Sequence, residues 1–402
     1  MYRLCEQVYP VSGAAKDCIY DLKQRRLWQI GKDTAALLRK CITDADACFS
    51  DAEKEVIKRL IAASILEHGT GQIHTLCTHK MPARFTKAWI EITTVCNLRC
   101  MHCYNGHADA CTMSLCDFRH VCAELMHAGI QHVQIIGGEP FCHPQLRDML
   151  LHASTSFAET ELFTNGTQIT DEWCAFLKAH GIRTALSVYS YLPEMHDAVT
   201  GVPDSHTRTE QAIAMLSAHG VPFRTAAIRM KGIAAGTHCG QLYRLDDPDI
   251  VRMSGRGSLR LLDAGLLRDK LITKETFRRP PDPERVIAAV SGNPCFSRRI
   301  YIAADLTVYP CVMERRISHG NLRTAPLTEL LDPEICNMNR DKIPACKCCE
   351  FRYACPACLP DSLQSDPLTK PYFCTYDPQT GEWADAAQFA AELLRTQEQE
   401  LS

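Results

Sequence analysis

Three times between residues 114 and 230 the chain runs an amphipathic stretch into a glycine and then directly into an apolar, β-prone run. "SLCDFRHVCAELMHAG" leads to "IQHVQIIGG", "EWCAFLKAHG" to "IRTALSVYS", and "TRTEQAIAMLSAHG" to "VPFRTAAIRM". Each reads as a helix stopped by a glycine able to take the left-handed cap, followed by a strand. An earlier β-prone run, "AWIEITTV", precedes the first of them. Repeated alternation of this kind predicts parallel βα units and an open or closed (β/α) barrel, with site residues at the C-terminal ends of the strands.

Residues 1–80 follow another rhythm. "YRLCEQVYPV", "KDCIYDL" and "RRLWQIG" are short β-prone runs separated by polar turns. Two helical patterns follow, "KDTAALLRKCI" and "SDAEKEVIKRLIAASILEHG", the second opening on a Ser50 cap and expected to stop at Gly69. A β-meander followed by helices suits a peptide-binding module. "THKMPARF" at 78–85 reads as a linker. Further on, "TFRRPPDPER" connects two regions, and "RRIYIAADLTVYPCVM" predicts a hairpin. The stretch to about 385 is punctuated by cysteines and has little periodicity, so metal cross-links are expected to hold it together. "EWADAAQFAAELLRTQEQELS" supplies a terminal helix over 386–402.

The length, 402 residues, implies two or three domains, and 46% hydrophobic with 23% charged residues implies a globular chain. A net charge of −3, from 44 basic and 47 acidic residues, argues against nucleic acid or an anionic membrane as partner. "MYRLCEQVYPVSG" lacks a signal-peptide core, and no apolar run approaches ~18 residues, so a cytoplasmic location is expected. In a reducing compartment the 23 cysteines suggest metal ligands before disulfides.

Cys96, Cys100 and Cys103 lie in "TTVCNLRCMHCYNG" at spacings x3 and x2, with no fourth cysteine at a matching distance. Structural zinc wants four closed ligands. Three thiolates from one loop suit one face of a cubane iron–sulfur cluster, leaving one iron open to an external ligand.

The run "CNLRCMHCY", with His102 at a usually aromatic position, and "GGEP" at the end of the next strand resemble the radical SAM enzyme superfamily. The resemblance implies a partial (β/α)6 barrel over 87–245. S-adenosylmethionine would chelate the open iron there and yield a 5′-deoxyadenosyl radical on reductive cleavage. Gly137, Gly138, Glu139 and Pro140 would bind the methionine amino group. Asn165 is the corresponding ribose candidate, and Ser187 the methionine carboxylate candidate.

Downstream, "CKCCEFRYACPAC" and Cys374 look like a SPASM domain over 291–385, joined to the barrel by a bridge at 246–290. The likeness implies two auxiliary [4Fe–4S] clusters, three clusters in all. One would use Cys346, Cys349, Cys355 and Cys374, with Cys348 an alternative to Cys349. The other would use Cys295, Cys311 and Cys358, with an open iron available to a substrate thiolate or to Cys239. Two departures stand out. Cys355 and Cys358 are separated by x2 where x3 is usual, and Leu306 occupies the usual hairpin glycine.

The overall pattern is similar to maturases of ribosomally made peptides, close to the grasp-with-spasm type. Residues 1–80 resemble a recognition element that grips a leader peptide as an added strand. This implies a precursor-peptide substrate and an electron donor such as flavodoxin or ferredoxin. It also implies oxidation to a thioether, C–C or C–O cross-link. Epimerisation, with Cys239 returning a hydrogen, is the rival reading. A sulfatase-type maturase is another, although Val312 stands where those proteins have an aspartate base. A zinc-binding interaction protein is the non-catalytic alternative. Glu314, His196 and Tyr191 are conceivable general bases.

Overall fold

The computed structural model describes residues 1–400 except 45, 71–72, 74–75, 77–84, 104, 106–108, 236–248, 251–260 and 363–365. Cys239 and most of the expected linker at 78–85 lie outside the described residues. The chain divides into two compact units, each built from separate stretches. One joins Met1–Pro82, Leu271–Pro294 and Asn337–Glu392. The other joins Ala83–Lys270, Cys295–Cys336 and Leu393–Ser402. The stretch expected as one region at 291–385 is therefore shared between them.

In the first unit, β1 (Tyr2–Leu4) is followed by a three-stranded antiparallel meander, β2 (Val8–Ser12), β3 (Asp17–Asp21) and β4 (Arg26–Ile30). Two helices follow, α1 (Lys32–Thr43) and α2 (Asp51–Ala62), then β5 (Leu66–His68). Every residue of β3 is buried. Ile19 packs on one face with Leu38, Cys41 and Ile57. Tyr20 points the other way and donates its hydroxyl to the Glu350 carbonyl at 2.9 Å. Glu350, itself fully buried, accepts from Gln29 Nε2 at 2.6 Å and from the Tyr376 hydroxyl at 2.5 Å. The N-terminal meander thus shares a core with the late cysteine-rich stretch.

Helix α2 does not reach Gly69. It starts as expected, with Ser50 and Glu53 in a reciprocal capping box. It ends at Ala62, Ser64 turns the chain at a φ of 57°, and Leu66–His68 pairs antiparallel with Tyr2–Leu4. Pairing satisfies the backbone groups of β1 and places Ile65 and Leu66 in the core, a stronger outcome than two more exposed helical turns.

The second unit is built on an eight-stranded sheet. In chain order it contains β6 (Lys87–Glu91), α3 (Leu115–His127), β7 (His132–Ile136), α4 (Leu146–Ser156), β8 (Glu159–Thr164) and α5 (Asp171–Ala179). Then come β9 (Arg183–Ser187), α6 (Pro193–Thr200), α7 (Ser205–His219) and β10 (Phe223–Ala226). A short pair, β11 (Ile228–Arg229) with β12 (Asp249–Ile250), lies outside that sheet. The expected hairpin forms from β13 (Arg299–Ile302) and β14 (Thr307–Tyr309), followed by β15 (Gly320–Asn321).

The strand order is β10-β9-β8-β7-β6-β13-β14-β15, parallel from β10 through β13 and antiparallel beyond. That β13 would extend the parallel sheet beside β6 was not legible in the sequence. Gly129, Gly181 and Gly220, which stop α3, α5 and α7, have φ of 78°, 63° and 62° as the pattern required.

The two faces of the sheet differ. Ala88, Ile90, Val133, Ile135 and Leu162 join the helices in one apolar core. The opposite face carries a polar row at matched register. Trp89 Nε1 donates to Gln134 Oε1 at 2.5 Å, Gln134 Nε2 donates to Glu161, and Arg224 closes on Glu161 at 2.8 and 3.0 Å. Leu306, in the hairpin, is 1% exposed and holds a φ of 72°. The left-handed conformation costs a β-carbon residue about 1–2 kcal/mol, which its burial in the main core offsets. Among the described residues no helix is long and apolar enough to cross a membrane.

Candidate functional site

The parallel strands bring their C-terminal ends to one edge of the sheet, and the loops leaving that edge carry most of the residues singled out above. Cys96, Cys100 and Cys103 follow β6, Gly137–Pro140 follow β7, Asn165 follows β8, and Ser187 ends β9. The first two loops are in backbone contact. Gly138 N donates to the Thr93 carbonyl at 2.7 Å, and Glu139 N to the Val95 carbonyl at 2.8 Å. A β-carbon on Gly137 would lie 2.7 Å from Thr93 O, and one on Gly138 2.5 Å from Thr94 O. Only glycine permits this approach.

Glu139 is 1% exposed and its carboxylate is engaged at both oxygens. Oε1 accepts from Thr164 Oγ1 at 2.7 Å and from Phe141 N at 3.1 Å, and Oε2 accepts from Asn165 N at 2.7 Å. Burial pushes its pKa up to about 7, while the Asn165, Thr164 and Phe141 donors pull it down. Asn165 spends its side chain on the cysteine loop. Its Nδ2 donates to Asn97 Oδ1 at 2.8 Å, and its Oδ1 accepts from Thr167 N at 2.9 Å. Glu139 and Asn165 therefore brace three loops against one another.

Behind the cysteines runs a stack of rings. His102 meets Tyr189 edge-on at 4.5 Å, Tyr189 meets His196 at 5.5 Å, and His196 meets His206 at 5.4 Å. Burial lowers the His102 pKa to about 4, and its Nδ1 is buried without a hydrogen-bond partner. His196 is also held near 4, by burial and then by His206. It is a neutral core histidine accepting from Tyr189 N at 3.4 Å. Ser187 hydrogen-bonds Tyr189.

Burial raises the Cys96 thiol to about 11 and the Cys100 thiol to about 12, with neighbouring thiols of the loop adding to each shift. Each thiol therefore holds its proton at neutral pH, and a cationic group replacing those protons would relieve both the burial and the repulsion. Leu98 N already donates to Cys96 Sγ at 3.4 Å. Among the described residues no three His, Cys, Asp or Glu side chains converge tightly enough for a single metal ion. A cubane spreads its thiolates over separate irons, and three thiols from one loop fit that wider demand.

In the other unit a single cavity is lined by Cys346, Cys349, Cys355 and Cys374 together with Arg340 and Lys370. Cys348 faces elsewhere and accepts from Gln379 Nε2 at 3.2 Å. Cys358 does not line the cavity, and its backbone N–H is held by Asp361 at 2.9 Å. Cys295 is exposed, and Cys311 Sγ accepts from Met313 N at 3.4 Å. Of the conceivable bases, Tyr191 is 37% exposed and Glu314 is fully buried in an ion pair with Arg316.

Sequence reasoning missed a polar cluster beside Cys103. Glu91, at the end of β6, accepts from Asn105 Nδ2 at 2.6 Å, and Arg315 Nη2 donates to Asn105 Oδ1 at 2.8 Å and to the Tyr301 hydroxyl. Asn105 lies two residues beyond Cys103, but nothing in the sequence ties it to 301 or 315.

Comparison with known proteins bears on the sheet and its edge loops. The Antilisterial bacteriocin subtilosin biosynthesis protein AlbA of Bacillus subtilis is 33% identical over 143 residues, 35% of this chain and 32% of that protein. The AdoMet-dependent heme synthase of Methanosarcina barkeri is 30% identical over 141 residues, 34% of this chain and 40% of that protein. The matched part thus spans 32% to 40% of these relatives. The fold is similar to that of Streptococcus suis SuiB in its crystal structure with precursor peptide SuiA. That match has a TM-score of 0.53 and 11% identity, and covers 92% of this chain and 99% of that one. Residues 90–233 match the Radical SAM superfamily, a stretch that takes in the three-cysteine loop and the glycine-tight edge described above.

Proposed function

We propose that the chain is a peptide maturase that oxidatively modifies a ribosomal precursor peptide. The observation that carries this reading is the three-thiol loop of Cys96, Cys100 and Cys103, locked by Gly137 and Gly138 at the mouth of a sheet with one polar face. With S-adenosylmethionine bound, a [4Fe–4S] cluster on that loop would supply a 5′-deoxyadenosyl radical able to remove a substrate hydrogen. Glu139 is engaged within the chain, so the backbone carbonyls of Gly137–Pro140 would meet the methionine ammonium. Ser187 and Asn165 would border the rest of the cofactor, and His102 would support the loop on Tyr189. The six parallel strands, β6 to β10 and β13, would form the partial (β/α)6 barrel.

The four cysteines lining one cavity, Cys346, Cys349, Cys355 and Cys374, would hold one auxiliary [4Fe–4S] cluster. Hydrogen removal leaves a carbon radical, and closing a cross-link from it releases one electron and one proton. An auxiliary cluster would accept that electron and pass it to a one-electron carrier such as flavodoxin or ferredoxin. The meander β2-β3-β4 would take the leader peptide as an added strand at an open edge. AlbA is described as a subtilosin biosynthesis protein and SuiB was crystallised with its precursor peptide, which favours a peptide substrate here. The expected location is the cytoplasm.

The test is anaerobic reconstitution with S-adenosylmethionine, a reductant and the peptide encoded beside the gene. Loss of two hydrogens from the peptide supports the proposal. An unchanged mass with deuterium gained from solvent at an α-carbon would replace it with epimerisation. A peptide unchanged in mass and stereochemistry would remove it.

A further inference from the structure

The cavity formed by Cys346, Cys349, Cys355 and Cys374 is lined by cations that no nearby carboxylate neutralises. Arg340 is half-buried as a residue, yet its Nη1 is buried and has no hydrogen-bond partner, while Nη2 donates to the Ala357 carbonyl. Lys370 lines the same cavity. Among the described residues no carboxylate lies within ion-pair distance of Arg340 or Lys370. Arg352, a third cation on the wall, is different, because its Nε sits 2.8 Å from Asp341 Oδ1. Among the described residues, two positive charges on this wall therefore lack a carboxylate counter-ion.

An unpaired guanidinium nitrogen out of water is unfavourable unless an anion completes it. The thiols are the nearest source of one. Arg340 and Lys370 share the cavity wall with Cys346, Cys349, Cys355 and Cys374. Four thiolates on an iron–sulfur cluster would carry a net negative charge that grows by one unit on reduction. Fixed cations in a low-dielectric wall stabilise the more negative state more strongly, so they raise the potential.

We propose that Arg340 and Lys370 set the reduction potential of the group held by these four cysteines, making it an electron acceptor. The inference rests on the reading above that the four cysteines bind an iron–sulfur cluster. The electron comes from the substrate radical as the new bond closes and its proton leaves to solvent. It departs to the external one-electron carrier, so neither cation is consumed. Arg340 and Lys370 are positioning residues: they touch neither substrate nor the reacting carbon.

The test uses the full-length chain with Cys96, Cys100, Cys103, Cys295 and Cys311 changed to Ala, so that only this cluster remains. It is reconstituted anaerobically, assayed for iron and sulfide, and titrated by electron paramagnetic resonance. In Arg340→Met the ratio of reduced to oxidised cluster at a fixed poise should fall at least tenfold, a shift of about 59 mV for one electron, with iron per chain unchanged. Arg340→Lys, which keeps the charge but not the fork, should restore most of that ratio. Lys370→Gln should shift it in the same direction by less. An unchanged potential with iron retained in Arg340→Met overturns the inference and leaves the cluster reading intact. Should Arg340→Met lose iron, Lys370→Gln decides by the same criterion. Absence of iron from the parent chain would overturn both, and zinc in its place would identify a structural site.

Discussion

The Cys96–Cys103 loop and the Cys346–Cys374 cavity both gather thiols, but opposite surroundings frame them. At the loop, Cys96 is exposed, the carboxyl of Glu139 lies close by, and the supporting rings are neutral histidines. At the cavity, all four cysteines are buried or half-buried and the wall carries Arg340 and Lys370. A thiol loop at the sheet edge leaves room for a ligand from solution. A thiol cavity with fixed cations on its wall favours added negative charge. In the proposed function the first would generate a radical and the second would receive an electron.

The strongest way to break this contrast is to empty each site in turn. Changing Cys96, Cys100 and Cys103 to Ala should remove about four irons per chain. It should lower 5′-deoxyadenosine formation by at least about a thousandfold, the scale of losing an essential catalytic group. Changing Cys346 and Cys349 to Ala should also remove about four irons but keep deoxyadenosine formation within about tenfold of the parent. Equal losses in both variants would end the division of labour.

Acid should separate the two regions next. The His196 pKa is held near 4 in the folded chain against an ordinary 6.5. Its contribution to stability is therefore fully present above pH 6.5 and is lost as the pH falls from 6.5 through 4. The full loss is on the order of 2–3 kcal/mol. Arg340, whose pKa is raised, stays charged throughout that window. Amide protection factors, referred to the intrinsic exchange rate at pH 7.5 and at pH 5, should fall in Pro193–Thr200 and change far less around 340–374. An equal fall in both would show that the histidines are not what acid attacks.

Glu350→Ala tests the support of the cavity, since it strands the Tyr376 hydroxyl and Gln29. A loss of about 2 kcal/mol should appear in a urea melt and in reduced amide protection of Asp17–Asp21. Protection lost only near Tyr376 would mean that the meander does not depend on this carboxylate. Asn165→Ala should have the smallest effect, about 1 kcal/mol, because Asn97 and Thr167 can turn to solvent. Its mark should be faster proteolysis of the Cys96–Cys103 loop at nearly unchanged melting temperature.

Much of the second unit was legible because its signals are local. A glycine ending an amphipathic run reports the cap at Gly129, Gly181 or Gly220 without reference to anything distant. The three-cysteine spacing, and the two glycines before Glu139, carry their chemistry within a few residues. Helix α4 is equally local in origin, since Leu146, Met149, Leu150 and Ala153 follow the helical period. The end of α2 was not readable. The residues "SILEH" continue a helical pattern, and only the presence of Tyr2–Leu4 turns Leu66–His68 into a strand. Leu306 was visible as a departure, but its positive φ and its burial belong to the folded hairpin.

By itself the sequence determined the alternation of helix and strand, the glycine-tight edge of the sheet and the identity of the thiols, because each depends on neighbours along the chain. Tertiary structure alone decided what those thiols face. It put Arg340 and Lys370 on the wall of the Cys346 cavity, gave Cys349 rather than Cys348 to that wall, and brought Glu350 to Tyr376 and Gln29. It also drew both carboxylate oxygens of Glu139 inward. Charge and hydrogen bonding act through space over a few ångströms, and residues hundreds of positions apart reach that range only once the core has closed.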